Sequence, residues 1–152
     1  RILIMKILII EDDDYKANDL LKFSNQKFSN PEVKLAVSLA EAIDEIDESI
    51  FDLIFIDMAI PSHTAEQGEG SPMSLLTGGI DILLELSEMQ REDRCIVITQ
   101  HPSIEISEEH YPLDKAPAIF KSLLNCEVVA CIYYVVDDSK WMIDLEKALQ
   151  NK

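Results

Sequence analysis

Glu11, Asp12 and Asp57 are the side chains of this sequence best placed to do chemistry, because two apolar runs stop on them. Met5-Lys6-Ile7-Leu8-Ile9-Ile10 runs into Glu11-Asp12-Asp13-Asp14, and Phe51-Asp52-Leu53-Ile54-Phe55-Ile56 runs into Asp57. A continuous Ile/Leu/Val run marks a parallel strand buried on both faces. In open α/β sheets, sites lie outside the carboxyl ends of such strands. If the two strands are neighbours, the three carboxylates share one acidic pocket, suited to a hard divalent cation with oxygen ligands, magnesium above all. Asp13 and Asp14 read as helix caps rather than ligands. His63, His101 and His110 fall in loops without the regular spacing of a zinc site.

The elements that must position these groups alternate strand and helix. The first strand ends at Ile10, and Asp13 or Asp14 caps a helix from about Tyr15 to Asn25, with Ala17, Leu20, Leu21 and Phe23 as its apolar positions. Ser29-Asn30-Pro31 breaks it. Val33 to Val37 is a short strand, and Ser38-Leu39-Ala40-Glu41 matches a capping box opening a second helix that ends near Ser49. Phe51 to Asp57 forms the third strand. A long polar stretch from Pro61 to Gly78 precedes a helix from Gly79 to Gln90. Cys95 to Thr99 is a fourth strand ending in a hydroxyl. A second irregular stretch, His101 to Ala116, leads to a short helix at about Ala118 to Leu124. Cys131 to Val136 is the fifth strand, and Asp138 or Ser139 caps a last helix carrying Trp141, Ile143, Leu145, Ala148 and Leu149. The expected fold is α/β: a doubly wound five-stranded parallel sheet with helices on both faces, a three-layer sandwich. The two long stretches, 62–78 and 101–116, are expected to be functional or mobile.

With 152 residues, 47% of them hydrophobic, the chain is long enough for one proper core. A formal net charge of −16 argues against direct binding of nucleic acid or an anionic membrane. Cys95, Cys126 and Cys131 lack metal-type spacing and read as reduced core thiols of a cytoplasmic protein. The apolar run at Ile2 to Ile10 is too short for a signal or a membrane span and ends on four acids. A single domain over 5–152 is expected, with residues 1–4 an upstream extension or remnant of cloning. No output domain is expected after the last helix.

In order and position, several pieces together resemble the receiver domain of bacterial response regulators, a flavodoxin-like signalling fold. They are Ile-Ile-Glu-Asp-Asp at 9–13, Asp57 with Ile60-Pro61, Gly79-Ile80-Asp81-Ile82-Leu83, Thr99 ending the fourth strand and Tyr134 in the fifth. The resemblance implies that Glu11, Asp12 and Asp57 hold Mg2+ and that Asp57 accepts a phosphoryl group. It also implies that Thr99 bonds that group and that Thr99 and Tyr134 form the switch. A histidine kinase or phosphotransfer protein would be the donor, and a downstream protein the recipient of the signal. No classical enzyme is expected, at most a phosphoacceptor with slow self-dephosphorylation.

Two departures stand out. The family's lysine at the end of the fifth strand aligns with Asp137, exchanging an attraction for a like charge worth roughly 4 kcal/mol at ~4 Å and an effective dielectric of ~20. Lys140 or Lys115 are the expected substitutes. Seventeen residues, 62 through 78, also separate Pro61 from Gly79 where the family has a short turn, and Gln100 replaces a small residue that would leave Asp57 more open. The alternative function is a phosphorylation-independent pseudo-receiver acting as a protein-interaction module. The long loops are expected to offer a partner or homodimer surface. A magnesium-dependent hydrolase fits less well, because no Asp-x-Asp follows either strand in the required setting.

Overall fold

The computed structural model describes residues 3–64, 74–75 and 78–150. Its elements are β1 Lys6–Ile10, α1 Asp14–Lys27, β2 Glu32–Ala36, α2 Leu39–Glu48, β3 Leu53–Ile56, β4 Ile60–Pro61, β5 Ser74–Leu75, α3 Gly78–Glu88, β6 Arg94–Thr99, β7 Ser103–Ile106, β8 Glu109–Pro112, α4 Ala116–Leu124, β9 Ala130–Tyr133 and α5 Lys140–Gln150. The upstream residues 1–2 and most of the 62–78 stretch lie outside the described residues.

Five strands form one parallel sheet in the order β2-β1-β3-β6-β9. This is the doubly wound order in which the connection reverses beside β1, so the crevice at the carboxyl ends of β1, β3 and β6 is the expected site. Alternation of side chains across the sheet builds two cores. Ile7, Ile9, Leu53, Phe55, Ile96 and Ile98 pack against Leu20 and Phe23 of α1 and Trp141 and Leu145 of α5. Leu8, Ile10, Ile54, Ile56 and Val97 pack against α2, α3 and α4 through Ala42, Ile46, Leu83 and Phe120. The result is the expected three-layer sandwich.

Local chemistry sets the helix starts. The Asp13 carboxylate accepts the backbone N–H of Tyr15 at 2.9 Å and of Lys16 at 3.2 Å, so Asp13 rather than Asp14 caps α1. Ser38 caps α2 by accepting the Glu41 N–H at 3.1 Å, while the Glu41 carboxylate reaches back one residue further than a strict capping box, to the Val37 N–H at 3.4 Å. At the amino-terminal edge of the sheet Arg91 donates to the carbonyls of Ile46 at 2.6 Å and Ser49 at 2.7 Å and pairs with Asp93 at 2.8 Å, tying the end of α2 to the approach to β6.

The 101–116 stretch is not irregular. Ser103–Ile106 and Glu109–Pro112 form an antiparallel hairpin, with Ile104 and Ile106 buried in the same cluster as Ala116 and Phe120 of α4. Its turn residues Ser107 and Glu108 have φ of 52° and 70°, the left-handed pair of a two-residue hairpin turn made without the usual Asn-Gly. β9 is also shorter than expected: it ends at Tyr133, leaving Tyr134 to Val136 beyond the strand.

Candidate functional site

The register of the sheet sets Ile10 beside Ile56 and Ile56 beside Val97. The next residues along these strands are Glu11, Asp57 and Ile98, and the pairing continues through the Asp57 N–H, which donates to the Ile10 carbonyl at 3.0 Å. Glu11 and Asp57 thus follow the alternation onto the α1/α5 face. Their carboxylates and that of Asp12 offer ligand atoms that all lie within 4.8 Å of one another. The three groups expected to converge do so.

Their environments differ. The Glu11 side chain is 3% exposed and that of Asp57 13%, whereas Asp12 stands in solvent. One Glu11 oxygen accepts the Asp13 N–H at 3.1 Å. The other, Oε1, is buried without a hydrogen bond; an ammonium stands 2.6 Å away but outside hydrogen-bonding alignment. Burial, reinforced by the Asp57 charge and opposed by that ammonium, pushes the Glu11 carboxyl up to about 7. Burial and the neighbouring Asp57 and Asp13 charges also raise Asp12.

That ammonium belongs to Lys16, which no sequence reading singled out. Its side chain is 1% exposed. Nζ donates to the Ile98 carbonyl at 2.7 Å and to Asp57 Oδ1 at 3.3 Å, besides its ion pair with Glu11. The expected substitutes are elsewhere: Lys140 pairs with Asp144 at 2.8 Å and is 75% exposed, and Lys115 is exposed at the start of α4. The signal for Lys16 was its spacing, since positions 16, 20 and 23 follow one helical stripe and all three side chains are buried. Three carboxylates facing one ammonium carry a net charge of −2 when all are ionised, and they offer oxygens within 4.8 Å of one another. The donor set therefore fits a hard divalent cation.

Thr99 ends β6 and is 1% exposed; its Oγ1 accepts the His101 N–H at 3.1 Å. A cavity of about 250 Å³ opens beside it, lined by Met58, Ala59, Thr99, His101, Ser103 and Ile104. Gln100 is exposed. Tyr134 is 1% exposed in the α1/α5 core, tilted against Trp141 with ring centroids 5.4 Å apart, and its hydroxyl donates to Asp19 at 2.6 Å. The register pairs Thr99 with Tyr133, and the Tyr134 N–H donates to the Thr99 carbonyl at 2.8 Å. By alternation Tyr133 shares the Thr99 face and Tyr134 lies on the opposite one. Asp137 accepts the Tyr15 hydroxyl at 2.9 Å.

A five-stranded doubly wound sheet with an acidic cluster at the ends of its first and third strands defines the receiver class of signalling domain. Relatives agree. The chain is 38% identical over 136 residues to the Detocs response regulatory protein DtcB of Vibrio alginolyticus, covering 88% of this chain and 91% of that protein. It is 26% identical over 97 residues to the sensory transduction protein LytR of Staphylococcus epidermidis, covering 64% of this chain and 33% of that protein. The CheY-like receiver domain of Methanospirillum hungatei superimposes with a TM-score of 0.64 over 97% of this chain and 95% of its own, at 18% identity. No family sequence model matches. This chain belongs to the response regulator receiver family.

Proposed function

We propose that this chain is the receiver of a two-component phosphorelay, taking a phosphoryl group on Asp57 and signalling through protein partners. The observation that carries this reading is the convergence of Glu11, Asp12 and Asp57 at adjoining strand ends, with Asp57 partly open to solvent. Glu11, Asp12 and Asp57 are the residues that would hold Mg2+, which when bound supplies positive charge to the transferring phosphoryl oxygens. The Asp57 carboxylate attacks phosphorus in line; the bond from phosphorus to the donor breaks and its electron pair leaves with the donor group. A histidine kinase or a phosphotransfer protein is the donor that suits such a carboxylate. Thr99, beside an open cavity, offers its hydroxyl to a phosphoryl oxygen. Tyr134, whose hydroxyl donates to Asp19, is the aromatic that would repack in response, with Tyr133 on the Thr99 face as a second candidate. The acidic surface favours protein partners over nucleic acid, in the cytoplasm; among the described residues no helix is long and apolar enough to cross a membrane.

Incubation with phosphoramidate and magnesium, followed by intact mass measurement, tests the proposal. The wild type should gain the mass of one phosphoryl group, removable by hydroxylamine, and Asp57→Asn should gain none. A wild type that takes up no phosphoryl group while its biological output survives Asp57→Asn would leave the pseudo-receiver reading in its place.

A further inference from the structure

We infer that Lys16 supplies the phosphoryl-facing positive charge of this site, delivered from α1 rather than from the end of β9. The inference rests on the phosphoacceptor reading above and concerns which residue makes transfer to Asp57 electrostatically possible. An anionic phosphoryl group approaching Asp57 meets three carboxylates, and each like charge at close range is strongly unfavourable in a partly buried site. Among the described residues, the cation within ion-pair distance of Asp57 is Lys16, 3.3 Å from Oδ1. Its placement is built. The Asp13 cap fixes its backbone N–H, the Ile98 carbonyl takes one ammonium proton at 2.7 Å, and the stem is enclosed with Nζ 6.0 Å from the centre of the Tyr134 ring. The ammonium loses its water on burial, and one neutral carbonyl and two carboxylates replace that hydration.

Asp137 belongs to the same arrangement. It follows β9 in a left-handed conformation, φ 61°, and accepts the hydroxyl of Tyr15, the residue next to Lys16. The Asp137 carboxylate thus links the loop between β9 and α5 to the first turn of α1, which carries Lys16.

In the transfer itself Lys16 holds charge and moves no proton. With phosphoramidate an Asp57 oxygen forms the new bond to phosphorus. The P–N bond breaks with its electron pair going to nitrogen, which leaves as ammonia once protonated by solvent. The ammonium of Lys16 faces the charge that gathers on the phosphoryl oxygens.

The test compares wild type, Lys16→Met and Lys16→Arg for two quantities, the rate of adduct formation with phosphoramidate and the magnesium dissociation constant by calorimetry. Lys16→Met should slow adduct formation at least tenfold while binding magnesium at least threefold more tightly, because a positive charge beside two ligands is gone. Lys16→Arg should recover part of the rate. A merely structural lysine would move both quantities in the same, unfavourable direction, and that result, or a wild-type rate in Lys16→Met, overturns the inference. Should Lys16→Met fail to fold, Lys16→Gln carries the same two readouts. A wild type that forms no adduct at all overturns the receiver proposal and the role of Lys16 with it, whereas a labelled wild type with an unaffected variant overturns Lys16 alone.

Discussion

A lysine in the apolar stripe of an amphipathic helix loses its hydration on folding, so its neighbours must replace that hydration. Here Glu11, Asp57 and the Ile98 carbonyl do so, although the Lys16 charge only partly offsets the burial of Glu11. Its carboxyl moves from 4.5 to about 7, driven first by burial. An acid whose pKa is raised on folding binds its proton more tightly in the folded state, so stability is fully present below about 4.5 and falls as pH rises to about 7. Melting in EDTA should therefore show a lower Tm at pH 7 than at pH 5, and Glu11→Gln should flatten that window. Magnesium should flatten it too. At a hundredfold excess over its dissociation constant it adds about 2.7 kcal/mol, roughly 2–4 °C of Tm per kcal/mol for a chain of this size. A Tm insensitive to millimolar magnesium at pH 7 would count against an assembled metal site. Glu11, Asp12 and Asp57 were legible because each ends an unbroken apolar run, which fixes both the strand and its terminus. Lys16 was not, since a lysine in a helix's first turn ordinarily lies in water.

The elements around the site were legible where hydrophobic period and caps coincide. Ser38 and Glu41 marked α2, and Gly79-Ile80 marked the start of α3 to within one residue. The β7–β8 hairpin escaped notice because its turn uses Ser107 and Glu108 rather than glycine or asparagine, although Ser103-Ile104-Glu105-Ile106 alternates as a strand should. Gly79 also does more than start a helix. Its N–H donates to the Met58 carbonyl at 3.0 Å, and a Cβ there would lie 2.9 Å from both the Asp57 carbonyl oxygen and Met58 Cα. Neither backbone atom can yield without moving the Asp57 segment. Gly79→Ala should therefore destabilise the protein by about 1–3 kcal/mol and weaken magnesium binding at the same time. Denaturant melts with and without magnesium would reveal both effects, and a variant as stable as wild type would show that α3 can shift without disturbing Asp57.

At the scale of the molecule, 29 acidic side chains against 13 basic ones leave a surface that repels itself. Added monovalent salt screens such repulsion over the ~8–10 Å Debye length of moderate ionic strength. Magnesium-free Tm at pH 7 should thus rise by a few degrees between low and physiological sodium chloride; a fall would mean that ion pairs such as Arg91–Asp93 outweigh the net charge. The sheet order and both layers of helices followed from the alternation of apolar runs, because buried parallel strands demand covering on both sides. The position of the hairpin could not follow from that logic, since it adds to the edge of one layer rather than completing it.

That hairpin has a mechanical consequence. Three residues separate the Thr99 strand end from β7, and β7 is wedged by Ile104 and Ile106 beneath Ala116 and Phe120. A pull that drew the Thr99 hydroxyl inward would reach β7 within three residues and, through the packing of Ile104 and Ile106 with Ala116 and Phe120, would bear on α4.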